Sequence, residues 1–108
     1  GAVIPVLPVT DTLKTVDAAG VVVGTPRRSD MVAVQTPQGF RWDVLIRAHE
    51  EGASLGADEA RAATDDAGLV EAIGGSVQTV AGDERSMKVT RPLDLALAQI
   101  LVAEETSA

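Results

Sequence analysis

Between an apolar run ending at Val34-Gln35 and an amphipathic run opening at Phe40-Arg41 stand Thr36, Pro37, Gln38 and Gly39. Pro37 has no N–H and biases the residue before it away from the helical region, and Gly39 favours a turn. A strand therefore hands over to a helix here, through a turn with a polar tip. Such a handover favours a layered α/β architecture, and in α/β proteins ligands bind at polar tips beyond the carboxyl ends of strands. Three further polar tips are spaced along the chain. The expectation is that all four converge on one anionic site.

The flanking pattern supplies the rest of the order. Residues 2–9 are apolar on both faces, as in a buried strand of a parallel sheet. Pro5 and Pro8 each remove a ladder donor, which predicts a bulge or a place near an edge, with nothing upstream to pair. Residues 11–28 read as a β-hairpin arm turning at Asp17-Ala18-Ala19-Gly20. Leu13, Val16, Val21, Val22 and Val23 are more apolar surface than a lone ribbon hides, so the arm needs the body of the domain or a second subunit.

Residues 31–35 predict a short strand, and 41–51 a helix with Phe40, Val44, Leu45 and Ala48 on one face and Gly52 at its end. Residues 53–63 read as a loop with at most one helical turn. Thr64 or Asp65 caps a helix to about Ile73, which Gly74-Gly75 ends. Residues 77–80 predict a strand, 81–85 a polar turn and 87–89 another short strand. The last helix, 92–105, is capped by Thr90 and carries the stripe Leu93, Ala96, Leu97, Ile100 and Leu101.

Composition narrows the function. The 108 residues suit one domain, with roughly two-thirds of the unfolded surface buried. Cysteine is missing, so disulfides, thiolate metal sites and cysteine nucleophiles are excluded. No apolar run approaches the ~20 residues of a membrane span. A net charge of −7 argues against a nucleic-acid partner. Arg27 with Arg28, and Arg85 with Lys88 and Arg91, make two basic spots beside expected loops. They suit a small anionic substrate, or are ordinary solvated charges. Asp58, Glu59, Asp65, Asp66, Asp83 and Glu84 lack the clustering of a metal loop, so no metal ligand is assigned. His49 falls on the polar side of its helix. The chain has no initiator Met and opens inside an apolar run, which reads as one piece of a longer protein.

Five segments agree in order and spacing with a known family: residues 8–14; Arg28, eight residues before the run Thr36-Pro37-Gln38-Gly39-Phe40; Thr64-Asp65-Asp66-Ala67; Gly82-Asp83; and 88–92 with 94–98. Together they resemble the carboxyl-terminal half of 2-C-methyl-D-erythritol 4-phosphate cytidylyltransferase, an enzyme of non-mevalonate isoprenoid biosynthesis. The resemblance implies a Rossmann-like three-layer α/β nucleotidyltransferase sheet with a protruding β-hairpin arm at 11–28. Residues 1–108 would be the carboxyl-terminal half of one domain. The family's Gly-rich CTP loop, its transition-state Arg and Lys, and its acidic segment lie in the other half. The fragment alone is then expected to be inactive.

Site residues follow from the same resemblance. Thr12 and Arg28, on the arm, would reach the methylerythritol phosphate of a neighbouring subunit in a homodimer. Thr36 and Thr64 would line that substrate's site, and Lys88 would contact phosphate, with the CTP phosphates also in prospect. Arg28 and Lys88 would position the phosphate for attack. Magnesium would be held by CTP and by the other half, and the enzyme would be cytoplasmic.

The family often carries an acid where Leu93 stands, so a capping box with Thr90 is expected to be missing. Read from the residues alone, Thr36 only shapes a turn, Thr64 only caps a helix, and Arg28 and Lys88 face solvent. Alternatives are a ribitol 5-phosphate cytidylyltransferase and a non-catalytic dimerisation module.

Overall fold

The computed structural model describes residues 1–54 and 65–107. Its central element is β1, Ala2–Pro8, which pairs on both edges. On one edge lies β6, Val77–Ala81, in parallel register from Ala2↔Val77 to Val6↔Ala81. On the other lie two short antiparallel strands end to end. These are β4, Val32–Val34, opposite Val6, Leu7 and Pro8, and β5, Gly39–Phe40, opposite Val3 and Ala2.

Of the two expectations for β1, a bulge or a place near an edge, the edge is thus corrected. Pro5 is tolerated because the irregularity sits on the partner strand. Going from Val34 to Gly39 takes five steps while β1 moves only from Val6 to Val3, so two extra residues bulge out. The Gln35 N–H still reaches the Pro5 carbonyl at 2.9 Å. A residue's N–H and C=O point to the same strand edge, so the donor that Pro5 lacks would have faced this bulge.

Helices cover one face of the sheet. Helix α1, Trp42–Ser54, and helix α2, Asp66–Ala72, connect β5 to β6. Ala2, Ala48 and Val70 form the core, with Phe40, Val44, Leu69, Ile73 and Val77 packed around it. Small residues at 2 and 48 let α1 lie close to the strand. Helix α1 runs past Gly52, which was expected to end it. A Cβ at Gly52 would stand 3.2 Å from Leu69 Cδ2, so this glycine serves a helix–helix approach. The true stop is at α2. Gly74, at φ +79°, sends its N–H to Glu71 O at 3.0 Å, and the Gly75 N–H reaches Val70 O at 2.9 Å, a Schellman closure. On the opposite sheet face Val3, Pro5 and Val80 line an open hollow of about 340 Å³ together with Pro37.

The arm forms as expected. Strands β2, Thr15–Val16, and β3, Val22–Gly24, make their own two-stranded sheet. Asp17 Oδ1 accepts from the N–H groups of Ala19 (2.9 Å) and Val21 (3.0 Å), fixing the turn. Val16, Val21, Val22 and Val23 all stay exposed, Val23 at 64%. The last helix, α3, spans Pro92–Ser107. Its expected apolar stripe is largely bare, with Leu93 at 67% exposure and Leu97 and Ile100 also exposed.

The strand expected at 87–89 does not form. Met87 and Val89 instead line a cleft with Ala98, Leu101 and Val102 of α3, so their apolar surface meets a helix rather than a ladder. Residues 55–63 of the expected loop, and Thr64, the expected cap and substrate contact, lie outside the described residues.

Candidate functional site

The bulge between β4 and β5 is the polar tip, and Thr36 is exposed upon it, with the Thr36–Pro37 bond cis. The sequence pattern placed this tip directly between strand and helix. In the structure a second antiparallel strand intervenes, because Gly39 and Phe40 return to pair with β1 before Trp42 opens α1.

Two glutamines flank the tip, and each ties it to another loop. The Gln35 amide makes a reciprocal pair with the backbone of one residue, Asp83. Its Nε2 donates to Asp83 O at 2.8 Å, and the Asp83 N–H donates to Gln35 Oε1 at 3.1 Å. Gly82 makes room for this. A Cβ there would overlap Gln35 Oε1 and sit 3.1 Å from Val6 O, while the Gly82 N–H bonds to Val6 O at 2.8 Å. Gln38 Nε2 donates to Asp65 Oδ2 at 2.8 Å. Asp65 is the N-cap of α2, its Oδ1 accepting from the Gly68 N–H at 2.8 Å. Next to it, Asp66 Oδ1 stands 3.0 Å from His49 Nε2, so His49 is exposed, as expected, but paired.

Beyond Asp83 the chain is locked into a turn. The Asp83 side chain accepts from the Arg85 N–H at 2.8 Å, and its carbonyl from the Ser86 N–H at 2.9 Å. This delivers Lys88 to the tip. Val34, Gln35, Thr36, Ser86, Met87 and Lys88 together line a cleft of about 90 Å³.

The far side of Lys88 is fixed by the start of α3. Asp94 Oδ2 accepts from the Thr90 N–H (3.2 Å), the Thr90 hydroxyl (3.0 Å) and the Arg91 N–H (3.0 Å). The Thr90 N–H foremost, then its hydroxyl and the Arg91 N–H, hold the Asp94 carboxyl below its ordinary pKa. Leu95 N bonds to Arg91 O, so Arg91 is the N-cap and the acid stands at Asp94, one residue after Leu93. Asp94 makes only the return half of a capping box: the Thr90 hydroxyl donates to it rather than accepting from a helix N–H, so the reciprocal box with Thr90 is not made, as expected.

The cations divide by their partners. Arg27, Arg41, Arg47, Arg85 and Arg91 each stand within 4.0 Å of a carboxylate. Arg28 alone among the described arginines does not. Its guanidinium donates to Thr10 O at 2.9 Å, at the base of the arm and two residues before Thr12. Among the described residues Lys88 has neither a hydrogen bond nor an ion pair. The structure thus brings Thr36 and Lys88 together on one cleft and sets Arg28 near Thr12's segment, apart from that cleft. Gln35, Gln38, Asp65 and Asp83 were missed as organisers. The only sequence signal was a glutamine on each side of Thr36-Pro37.

The family model for 2-C-methyl-D-erythritol 4-phosphate cytidylyltransferase matches residues 1–104. Proteins of that description from Rhodococcus jostii and Nocardia farcinica are 54% identical over 103 residues and 57% identical over 101 residues. These matches cover 95% and 94% of this chain but 42% and 40% of those relatives, so the chain spans about two-fifths of their length. The crystal structure of the Thermus thermophilus 2-C-methyl-D-erythritol 4-phosphate cytidylyltransferase superposes with TM-score 0.72 at 40% identity, over 94% of this chain and 47% of that one. The Anaerococcus prevotii 4-diphosphocytidyl-2C-methyl-D-erythritol synthase gives 0.78 at 27% identity, over 94% and 46%. The nucleotidyltransferase fold of these proteins is the fold of this chain.

Proposed function

This chain belongs to the 2-C-methyl-D-erythritol 4-phosphate cytidylyltransferase family, and on that premise we propose that it forms the acceptor side of a CMP-transferring site. A phosphate oxygen of methylerythritol phosphate attacks the α-phosphorus of CTP in line. A new P–O bond forms, the α–β bridge breaks, and pyrophosphate leaves with the electron pair. A phosphate monoester has its second pKa near ~6 and is largely dianionic at neutral pH, so no general base has to remove a proton. The task is to hold two polyanions in line, which cations and hydroxyl donors do.

Lys88 serves as a point charge on the substrate phosphate, near enough to the reacting centre to meet the CTP phosphates as well. Thr36 donates a hydroxyl beside it. Arg28, with its planar fork, grips phosphate oxygens together with Thr12, reaching from the arm of a second subunit. Thr64 completes the substrate contacts. The observation that carries this reading is Lys88, without a charged partner among the described residues and on one cleft with Thr36.

The exposed Leu13, Val16, Val21, Val22 and Val23 support a homodimer through the arm. The five segments that resemble the family support residues 1–108 as the carboxyl-terminal half of one domain, the CTP loop lying in the other half. Among the described residues no three acidic or histidine side chains group around a metal position, so they do not fit a protein-held magnesium. A magnesium ion would depend on CTP and the other half. No described helix is long and apolar enough to cross a membrane, and the cytoplasm is the proposed compartment.

The test is pyrophosphate release from CTP by a full-length protein carrying this chain, with methylerythritol phosphate and ribitol 5-phosphate offered separately. Turnover is expected with the first, and Lys88→Ala should lower kcat/KM for it by about tenfold or more, the size of one charge-assisted contact. Turnover with ribitol 5-phosphate alone, or unchanged kinetics in Lys88→Ala, would overturn the assignment.

A further inference from the structure

We propose that Gln35 is a positioning residue for Lys88, setting the distance between that cation and Thr36. The inference rests on the acceptor-site reading. The turn at 83–86 is one locked unit, closed by Asp83 Oδ1 on the Arg85 N–H and Asp83 O on the Ser86 N–H. It carries Lys88. Its side-chain link to the tip is the Gln35 amide, which offers one donor and one acceptor to the O and N–H of a single residue, as a strand partner would. Gly82 N to Val6 O joins the same turn to the strand between them. Gln35 precedes Thr36 in sequence and lines the same cleft. Moving Gln35 therefore moves the turn relative to the hydroxyl.

The side-chain chemistry is specific. Glutamate accepts from the Asp83 N–H but sets a carboxylate against the Asp83 carbonyl. Methionine, of similar length, makes neither bond. A neutral amide also adds no anion next to the cation that must take a phosphate.

A double-mutant cycle of Gln35→Met and Lys88→Ala in a full-length protein tests this, read as kcat and KM for methylerythritol phosphate and for CTP. Displacing a positioned group by ~1 Å can cost up to a hundredfold. Gln35→Met should thus lower kcat/KM for the acceptor by about tenfold to a hundredfold and leave the KM for CTP within about twofold. In the Lys88→Ala background it should do almost nothing more, because its effect passes through Lys88. Gln35→Glu, which keeps one bond but sets a carboxylate against Asp83 O and beside the cation, should be at least as impaired as Gln35→Met. Additive losses, or equal rises in both KM values, mean a merely structural glutamine and overturn the proposal. Full activity in Gln35→Met while Lys88→Ala is impaired overturns the positioning role alone. A silent Lys88→Ala removes the acceptor-site reading and this proposal with it.

Discussion

Asp65 joins two parts of the molecule through two different bonds, and its replacement separates their energies. Asp65→Ala removes the N-cap bond from the Gly68 N–H and the bond from Gln38 Nε2, both 2.8 Å. Losing an N-cap costs typically ~1 kcal/mol. Losing a hydrogen bond to a charged group costs ~1.5–3 kcal/mol, and here it strands a partly buried amide. The expected total is about 2–4 kcal/mol. Asp65→Asn keeps the cap through its one amide oxygen and sets an NH2 opposite Gln38, whose own amide can turn to present Oε1 as the acceptor, so it should cost about 1 kcal/mol. Urea unfolding of a full-length protein at pH 7 would read both, with m unchanged if the fold is intact. In a cycle with Gln38→Ala, the coupling should be about 1–2 kcal/mol. A coupling near zero, or Asp65→Asn as costly as Asp65→Ala, would refute the view that this carboxylate clamps the tip to helix α2.

Two further outcomes follow. The Asp94 carboxyl has its folded pKa below the ordinary value, so it stabilises the fold above that value and the contribution disappears as pH falls through the folded pKa. Asp94→Asn should therefore be less stable than wild type at neutral pH and lose that difference below about pH 4. A difference that persists at pH 2 in denaturant titrations would contradict the assignment. On the arm, Val23→Asp adds a charge at a 64% exposed valine. It should dissociate the proposed homodimer in sedimentation analysis while the circular dichroism spectrum stays unchanged, and an intact dimer would remove the arm from the interface.

The elements that local pattern decides were legible. Asp17 to Gly20 is a turn by its own chemistry, and Leu93 to Leu101 have helical spacing whatever they face. What pattern could not reach was pairing across the chain. Residues 32–34 and 39–40 are one strand line interrupted by a bulge only because both face β1, and no local signal states that register. Gly52 looked like a helix end because a glycine's effect on helix propensity is local, whereas its contact with Leu69 is tertiary. The cap of α3 was displaced by one residue for a related reason. Thr90 is the better capping side chain, but the chain enters α3 with Arg91 at the cap, and Asp94 reaches back to both.

The basic spots show what this means for a site. In sequence Arg85, Lys88 and Arg91 are one cluster, but the fold gives Arg85 to Glu104 and Glu105 and Arg91 to Asp94. A phosphate approaching either arginine competes with a carboxylate already within 4.0 Å. At Lys88 it competes with no described carboxylate. Availability, rather than the number of charges, then selects the phosphate contact. The same logic explains a neutral Gln35 at the tether, since an acidic side chain there would set a competing carboxylate on the cleft that Lys88 lines. Holding a cation in place through the backbone of its own loop leaves its charge for the substrate.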